Sequence, residues 1–347
     1  MAISEQELQL AARNHGMPLE ALRWDVTPVG LHYLLIHYDI PAVDPASWRL
    51  EVGGRVDRAL SLSLDELRAR RSVTRAVTME CAGNGRARLQ PHVVSQPWLL
   101  EAVGTAEWTG VPVADLLDEA VVAGDAVEIL FTGLDRGLEG GVEQAYQRSL
   151  TLAEASDGPL LAYAINGEPL PPQHGFPLRL VVPGWYGMTS VKWLARIDAI
   201  AEPFAGYQQA VGYRMRAHED DEGTPVTRIP PRALMVPPGI PDFFTRERRL
   251  APGACTLHGR AWSGRGAVER VEVSTDGGAT WADARLAPPA GPHAWVGWSF
   301  DWAPEAGRYE LCSRATDASG ATQPLEPDWN VQGMENNGVQ RVPVLVS

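Results

Sequence analysis

The order of hydrophobic and polar residues in the first two thirds of the chain predicts short helices and short strands in alternation. Apolar residues recur at three-to-four spacing in four segments, which predicts helices at residues 5–14, 62–70, 113–120 and 150–155. Ser63 followed by Glu66 is typical of a capping box and opens the second helix. Strand-like runs at residues 48–52, 73–79, 126–132 and 178–182 lie between Gly and Pro residues. This mixture predicts an α+β domain over residues 1–218.

A change of composition then divides the chain. Residues 219–253 contain seven prolines among Gly and charged residues, which predicts an irregular linker. Beyond it, apolar and polar residues alternate at 268–273, 296–302, 309–313 and 342–346, with an Asp276-Gly277-Gly278 turn among them. A stretch of about 95 residues with short alternating strands has the size of an immunoglobulin-like β-sandwich. We therefore expect an all-β sandwich over residues 254–347.

Composition and charge exclude several classes of protein. The 347 residues are 45% hydrophobic, which supplies cores for two domains. The formal net charge of -13 argues against nucleic acid and anionic membrane surfaces as partners, because phosphates would be repelled. No stretch approaches the roughly 20 apolar residues that span a bilayer, and residues 1–13 lack a basic-then-apolar export signal. The sequence as written predicts a cytoplasmic protein, or a periplasmic one if a leader has been removed.

One of the three cysteines stands in an unusual setting. Cys81, Cys255 and Cys312 have no Cys-x-x-Cys spacing, which excludes a zinc ribbon, a covalent haem site and a disulfide scaffold. Cys81 ends a predicted strand and enters the glycine-rich turn Ala82-Gly83-Asn84-Gly85-Arg86. Such a turn exposes a sulfur, and Arg86 would lower the pKa of a nearby thiol and attract an anion. A lone cysteine is otherwise more often a buried structural residue.

The segment from Thr78 to Arg86 resembles the cysteine motif of the sulfite oxidase family of molybdopterin-dependent oxidoreductases, in particular its bacterial members without haem. Further segments that are similar to the family follow in order at residues 164–171, 174–179, 182–184, 190–194, 259–264, 271–278 and 329–330. The resemblance covers residues 30–347. It implies a sulfite-oxidase-type molybdopterin domain followed by the family's dimerisation domain, and therefore a homodimer through residues 254–347.

The resemblance also implies a molybdenum–molybdopterin cofactor, one per chain. Cys81 matches the thiolate ligand of the metal, a reasonable donor for a soft site. His174, Arg179 and Lys192 match positions that bind the pterin and its phosphate, where guanidinium and ammonium groups hold an anion well. The remaining positions that match cofactor-binding residues are Tyr38, Asp39, Asp135, Ser190 and Val191. Asp135 could equally be an ordinary turn-forming residue.

Four residues match positions near the metal and are candidate catalytic residues. Arg86 matches an active-site arginine, Trp98 a pocket tryptophan, and Tyr213 the tyrosine beside the metal. Tyr207 lies in the same stretch and remains an alternative to Tyr213, while a core role remains open for Trp98. His37 stands where the family has a substrate-binding arginine, so its match is to the position and not to the residue type.

Two departures bear on the substrate. Sulfite-oxidising members surround their dianionic substrate with arginines, but His37 and Gln332 replace two of these here. The pocket is thus expected to be less positive. The sequence contains no haem-binding module and no Cys-x-x-Cys-His, so no haem is expected and electrons would leave to an unknown external acceptor.

Three functions are compatible with these observations. The first is oxygen-atom transfer at molybdenum that oxidises sulfite or a related small oxyanion. The second uses the same cofactor in the reverse direction, to reduce an S-oxide or N-oxide. The third is a cofactor-free binding protein that uses the surface of the β-sandwich. Molybdenum bound by Cys81 would exclude the third. The expected partners are a small anionic or S-oxide substrate and an electron acceptor or donor.

Overall fold

A computed structural model describes residues 3–347; Met1 and Ala2, which belong to the first predicted domain, lie outside the described residues. The four predicted helices are present as α1 Glu5–Arg13, α2 Leu64–Arg68, α3 Val113–Ala120 and α4 Leu152–Ser156. The Ser63–Glu66 capping box forms as expected, with both reciprocal hydrogen bonds. Similar boxes open α1 at Ser4 and α4 at Thr151, because a hydroxyl followed three residues later by Glu satisfies two orphan donors.

Strands contain more residues of the first unit than helices do. Their bounds are β1 Leu50–Gly54, β2 Leu60–Leu62, β3 Val73–Glu80, β4 Val103–Pro112, β5 Glu128–Glu139, β6 Val142–Thr151, β7 Leu160–Ile165, β8 Glu168–Pro169, β9 Arg179–Val181, β10 Leu194–Ile200 and β11 Arg214–Met215. One sheet has the order β2-β1-β10-β5-β6, with β1 and β10 parallel. The other has the order β3-β4-β7-β8, with β9 also paired to β7. The α+β expectation is confirmed.

The second unit is a two-sheet sandwich, as expected. Its strands, with the short strands that precede it, are β12 Thr224–Pro225, β13 Arg232–Met235, β14 Ile240–Pro241, β15 Arg248–Leu250, β16 Cys255–Trp262, β17 Val268–Ser274, β18 Ala282–Asp283, β19 Arg285–Leu286, β20 Val296–Trp302, β21 Gly307–Asp317 and β22 Gln340–Val346. The sheets have the orders β13-β16-β20-β19 and β14-β15-β22-β21-β17-β18. Inward-facing residues of both sheets, among them Val271, Trp298 and Leu311, form one core.

Residues 219–253 are more regular than their proline content predicts. β13 pairs with β16 over four residues and belongs to the four-stranded sheet of the sandwich. β15 pairs in parallel with β22, the last strand of the chain. Pro230 and Pro231 precede β13 and Pro237 follows it, so these prolines border the strand without interrupting its hydrogen bonds. The expectation of an irregular linker is therefore wrong at these residues, while the domain boundaries themselves stay a prediction.

Candidate active site

The turn that follows β3 holds Cys81 through backbone hydrogen bonds on both sides of the residue. The Cys81 N–H donates to the Ala102 carbonyl at 2.9 Å, and its own carbonyl accepts from the Asn84 N–H at 2.9 Å. The Asn84 side chain ties the turn to the neighbouring chain segment, because it accepts from the Ala102 N–H and donates to the Leu100 carbonyl. A Cβ at Gly83 would lie 2.5 Å from a nitrogen of Arg86, so only glycine lets that guanidinium pack on the turn.

Opposing effects act on the Cys81 thiol. Burial raises its pKa, and the Arg86 charge, the Gly83 N–H and the Trp98 indole act in the opposite direction. The Trp98 Nε1 atom is itself buried and makes no hydrogen bond within the described residues. These three groups offset only part of the effect of burial: Arg86 acts in the expected direction, but the pKa of the Cys81 thiol stays raised.

An inner cavity next to Cys81 is lined by the basic residues that were predicted to bind the pterin and its phosphate. Its lining includes Cys81, Asp135, His174, Arg179, Ser190, Lys192 and Tyr213. The Arg179 guanidinium donates to the carbonyls of His174 at 3.2 Å and Ser190 at 3.1 Å. Lys192 Nζ donates to the carbonyls of Leu35 at 2.7 Å and Gln173 at 3.1 Å. Both cations are thus held by neutral acceptors, which leaves their charge available to an anion.

Burial changes the charge of several groups in this inner cavity. It lowers the pKa of Lys192 to about 7, with Arg179 acting in the same direction, and lowers that of Arg179 to about 10. Burial raises the pKa of Asp135 to about 6 against the attraction of Lys192. The pKa of His174 falls to about 2 through burial and the neighbouring His32, whose ring centroid lies 5.8 Å away. His174 is therefore neutral at physiological pH.

A bulge in β5 directs Asp135 into this cavity. The register between β5 and β6 shifts between Thr132 and Arg136, which places residues 133–135 outside the regular ladder. The Asp135 Oδ1 atom is buried without a hydrogen-bond partner, and the same holds for His32 Nε2. Two unpaired polar atoms in one buried cavity indicate a polar ligand, because buried polar groups are normally hydrogen-bonded.

A second cavity opens outward from Cys81 to solvent. Arg86 lines it and is held by the carbonyls of Gln332, through Nε at 2.8 Å, and Gln96, through Nη1 at 3.1 Å. Trp98 and the Gln332 side chain line the same cavity. Cys81 and Tyr213 border both cavities, so Cys81 lies where the basic inner cavity meets the outer one.

A polar cluster around Glu139 lies on the wall of the outer cavity. The Glu139 Oε2 atom is 3.1 Å from His37 Nε2 and accepts from the Tyr38 hydroxyl at 2.9 Å, and the Gln208 amide also donates to it. The Tyr38 ring packs directly on Gly137, where a Cβ would lie 2.2 Å from the ring. Burial alone would raise the pKa of Glu139, but the hydrogen bonds from His37, Tyr38 and Gln208 outweigh it and lower the pKa. Glu139 is an anion next to His37.

The two candidate tyrosines differ in position. Tyr213 lines both cavities, and burial together with the nearby Cys81 raises the pKa of its phenol to about 12. The guanidinium of Arg148 lies 5.6 Å from the Tyr213 ring centroid. Tyr207 lines only the outer cavity. A Tyr213 phenol that keeps its proton can donate a hydrogen bond beside Cys81.

Not all residues that match the family's site face a cavity. Asp39 is exposed, and its carboxylate accepts from the Ile40 N–H at 2.8 Å. Val191 packs in the core of the first sheet, while its carbonyl accepts from the Leu180 N–H at 2.8 Å. Neither side chain lines the inner or the outer cavity. The match of these two positions to cofactor-binding residues thus stays a prediction that the side-chain positions do not support.

Four residues that line the cavities belong to no motif in the sequence and were not predicted to be site residues. His32 and Tyr146 line the inner cavity, and Glu139 and Gln208 the outer one. Glu139 contacts His37 across 102 positions of sequence, so only the folded chain reveals this pair. His32 stands five positions before His37 and could have been considered as a second histidine of the same segment.

Comparisons with known proteins agree with this architecture. Residues 37–208 match the oxidoreductase molybdopterin binding domain, and residues 243–347 match the Mo-co oxidoreductase dimerisation domain. The chain is 39% identical to sulfite oxidase of Gallus gallus, over 89% of this chain and 71% of that protein. It is 36% identical to mitochondrial sulfite oxidase of Macaca fascicularis, over 93% of this chain and 62% of that protein.

A solved structure is similar over almost the whole chain. The sulfane dehydrogenase SoxCD of Paracoccus pantotrophus superposes with a TM-score of 0.81 and 26% identity, over 96% of this chain and 86% of that chain. The matches define a class of oxidoreductases that join a molybdopterin-binding domain to a dimerisation domain. The chain belongs to the sulfite oxidase family of molybdopterin oxidoreductases, and it spans only about 62% of the mammalian members it matches.

The inner cavity fits the cofactor of this family. A pterin ring offers N–H groups that the unpaired Asp135 Oδ1 can accept, and a phosphate suits the two buried cations Arg179 and Lys192. The Cys81 sulfur beside that cavity is a donor type that a soft metal prefers.

In residues 3–347, no helix is long and apolar enough to cross a membrane.

Proposed function

We propose that this chain is a molybdenum-cofactor oxidoreductase that oxidises sulfite or a related small sulfur oxyanion, with one cofactor per chain. The observation that supports it is the position of Cys81, which lines both a cavity with the buried cations Arg179 and Lys192 and a second cavity with a single arginine, Arg86. When bound, the molybdenum cofactor supplies two-electron oxygen-atom transfer. Cys81 would hold the metal, and Arg179, Lys192, His174, Asp135 and Ser190 would hold the pterin and its phosphate.

The residues of the outer cavity then act on the substrate. Arg86 would attract the oxyanion through the part of its guanidinium that faces the cavity, since its other nitrogens donate to backbone carbonyls. Tyr213 would donate a hydrogen bond to an oxygen of the bound oxyanion, because its phenol stays protonated. Trp98 would stabilise the Cys81 thiolate through its indole N–H. We propose that electrons leave to an external acceptor.

Cys81→Ser tests the proposal. In protein made in a cofactor-competent host, we expect about one molybdenum per chain in the parent and loss of sulfite-dependent reduction of an electron acceptor in the variant. Cys255→Ser is the matched control, because Cys255 lies in β16 of the sandwich, away from both cavities. Full turnover in Cys81→Ser, with molybdenum content equal to that of the control, would rule out the mechanism.

We also propose a homodimer that forms through the dimerisation-domain region, residues 254–347. The dimerisation-domain match supports it. In the aromatic row from Trp295 to Trp302, Trp295 and Trp298 are buried within the chain at 1% and 3% exposure, whereas Phe300 and Trp302 are partly exposed and could contribute to an interface. The two most exposed large hydrophobic side chains in the described part of the chain are Phe243 and Phe244, at 78% and 88%; they lie between β14 and β15, at the start of the matched residues 243–347 but just before residues 254–347.

A further inference from the structure

The outer cavity carries little net positive charge. Its charged side chains are Arg86 and Glu139, together with His37, which hydrogen-bonds to Glu139. Gln332, whose carbonyl accepts a hydrogen bond from Arg86, also lines the cavity and adds only a neutral amide. A dianion in such a cavity would meet one guanidinium and one carboxylate, whereas a monoanion needs only the guanidinium.

Arg86 has limited capacity for an anion. Two of its three nitrogens donate to the carbonyls of Gln332 and Gln96, which leaves Nη2 without a protein partner in residues 3–347. Glu139 opposes a second negative charge, because three donors keep its carboxylate ionised. One free guanidinium end and one fixed carboxylate favour a ligand with a single negative charge.

Exposed apolar side chains also line the same cavity. Leu10, Val94 and Leu138 are 36%, 64% and 77% exposed, and Val93, Val331 and Met334 add further apolar lining. Leu138 directly precedes Glu139 at the end of β5. Exposed apolar side chains around a catalytic cavity stabilise an apolar group of a ligand, and a bare inorganic oxyanion would make no use of them.

We infer that the substrate of this site is an organic sulfinate, a monoanionic sulfur oxyanion that carries an apolar alkyl or aryl group. This inference rests on the proposed function and specifies its substrate class. The sulfinate oxygens would face Arg86 and Tyr213, and the organic group would contact Leu138, Val94 and Leu10. Glu139 is the specificity-determining residue, because it excludes dianions.

The reaction balances with an external one-electron acceptor. One sulfinate, one water and two ferricyanide ions give one sulfonate, two protons and two ferrocyanide ions. The new sulfur–oxygen bond takes its oxygen from water, the sulfur loses two electrons, and both protons pass to solvent.

Steady-state assays of the molybdenum-loaded protein with ferricyanide test the inference, at slightly alkaline pH where sulfite is a dianion. We expect kcat/KM for benzenesulfinate to exceed that for sulfite by about tenfold or more. One additional charge-assisted or apolar contact in the transition state is enough for a tenfold difference. Glu139→Gln should raise kcat/KM for sulfite by about tenfold and change that for benzenesulfinate less. Leu138→Ser should lower kcat/KM for benzenesulfinate more than that for sulfite.

Glu143→Gln is the matched control. Glu143 lies opposite Leu138 in the β5–β6 hairpin, pairs with Arg136 at 2.9 Å and does not line the cavity. We expect both substrates to be oxidised by this variant as by the parent. A rise in sulfite turnover in Glu143→Gln equal to that in Glu139→Gln would show a general charge effect and would overturn the inference.

Calorimetric titration of the resting protein gives a readout without turnover. Benzenesulfonate should bind about tenfold or more tightly than sulfate, because it has one charge and an aryl group. Equal or weaker binding of benzenesulfonate overturns the substrate class. A parent that prefers sulfite, with no effect of Glu139→Gln, overturns this inference and leaves the proposed function intact. Fully loaded protein that oxidises neither substrate overturns the proposed function itself.

Discussion

The carboxylate of Glu80 lies 3.3 Å from the guanidinium of Arg232, and both side chains are 1% exposed. Glu80 ends β3 immediately before Cys81, and Arg232 begins β13 of the sandwich. The second carboxylate oxygen of Glu80 accepts from Trp262 Nε1 at 2.7 Å. The two units therefore meet through a buried ionic contact directly behind the turn that carries the proposed metal ligand.

Arg232→Met should destabilise the protein strongly. The substitution leaves the Glu80 carboxylate buried with neutral donors only, and removal of one partner of a buried pair costs about 3–5 kcal/mol. Chemical denaturation measures the change in the free energy of unfolding. Arg55→Met is the control, because the Arg55–Asp125 pair is about half exposed and should contribute under about 1 kcal/mol. A loss in Arg232→Met no larger than in the control would contradict this prediction, and Glu80→Gln added to Arg232→Met should restore part of the stability.

In cofactor-free protein, Lys192 should make the free energy of unfolding depend on pH. Burial lowers its pKa from 10.5 to about 7, so between these values the unfolded chain binds a proton that the folded chain lacks. The stability of the parent should therefore rise with pH through this window, by at most about 1.4 kcal/mol per pH unit, relative to Lys192→Met. Below pH 7 both states are protonated and the difference becomes constant. Parallel stability curves for the two proteins from pH 7 to pH 10 would contradict a buried Lys192.

The elements and the site were accessible to sequence reasoning to different degrees. Helices such as α3 follow from local apolar spacing, and the Cys81 turn from a motif, so both could be predicted. The role of Glu139 could not, because it depends on the register of a long hairpin that brings residue 139 to residue 37. β13 could not be predicted, because prolines flank it on both sides and its partner strand, β16, is distant in sequence.

Tyr213→Phe should separate the two candidate tyrosines. Tyr213 borders both cavities beside Cys81, so loss of its hydroxyl should lower kcat by about 100-fold, the order of one positioned donor or acid. Molybdenum content should stay at the parent level. Tyr207→Phe is the matched variant and should change kcat by less than about threefold, because Tyr207 lines only the outer cavity. The opposite order of effects would assign the active-site role to Tyr207.

The proposed dimer can be measured by light scattering over micromolar concentrations, where we expect twice the mass of the chain. Phe243→Ser together with Phe244→Ser should weaken association if these exposed rings anchor the interface, by about tenfold or more. Leu99→Ser is the control, since Leu99 is 57% exposed and lies in the first unit. A parent protein that stays monomeric would refute the dimer, and an unchanged dimer in the Phe variant would place the contact elsewhere in the sandwich.

His37→Arg restores an arginine that the sulfite-oxidising pattern has, but the structure predicts a small effect. His37 Nε2 lies 3.1 Å from Glu139 Oε2, so a guanidinium at this position would pair with Glu139 and offer less charge to the substrate. We expect His37→Arg alone to lower the KM for sulfite by less than about threefold. In combination with Glu139→Gln the new guanidinium is released, and KM should fall further than the product of the single effects, by a coupling of about 0.5–3 kcal/mol. Molybdenum content measured for all four proteins separates this coupling from damage to cofactor loading. If the effects multiply without coupling, and His37→Arg alone tightens sulfite binding about tenfold, Glu139 does not control the charge at position 37.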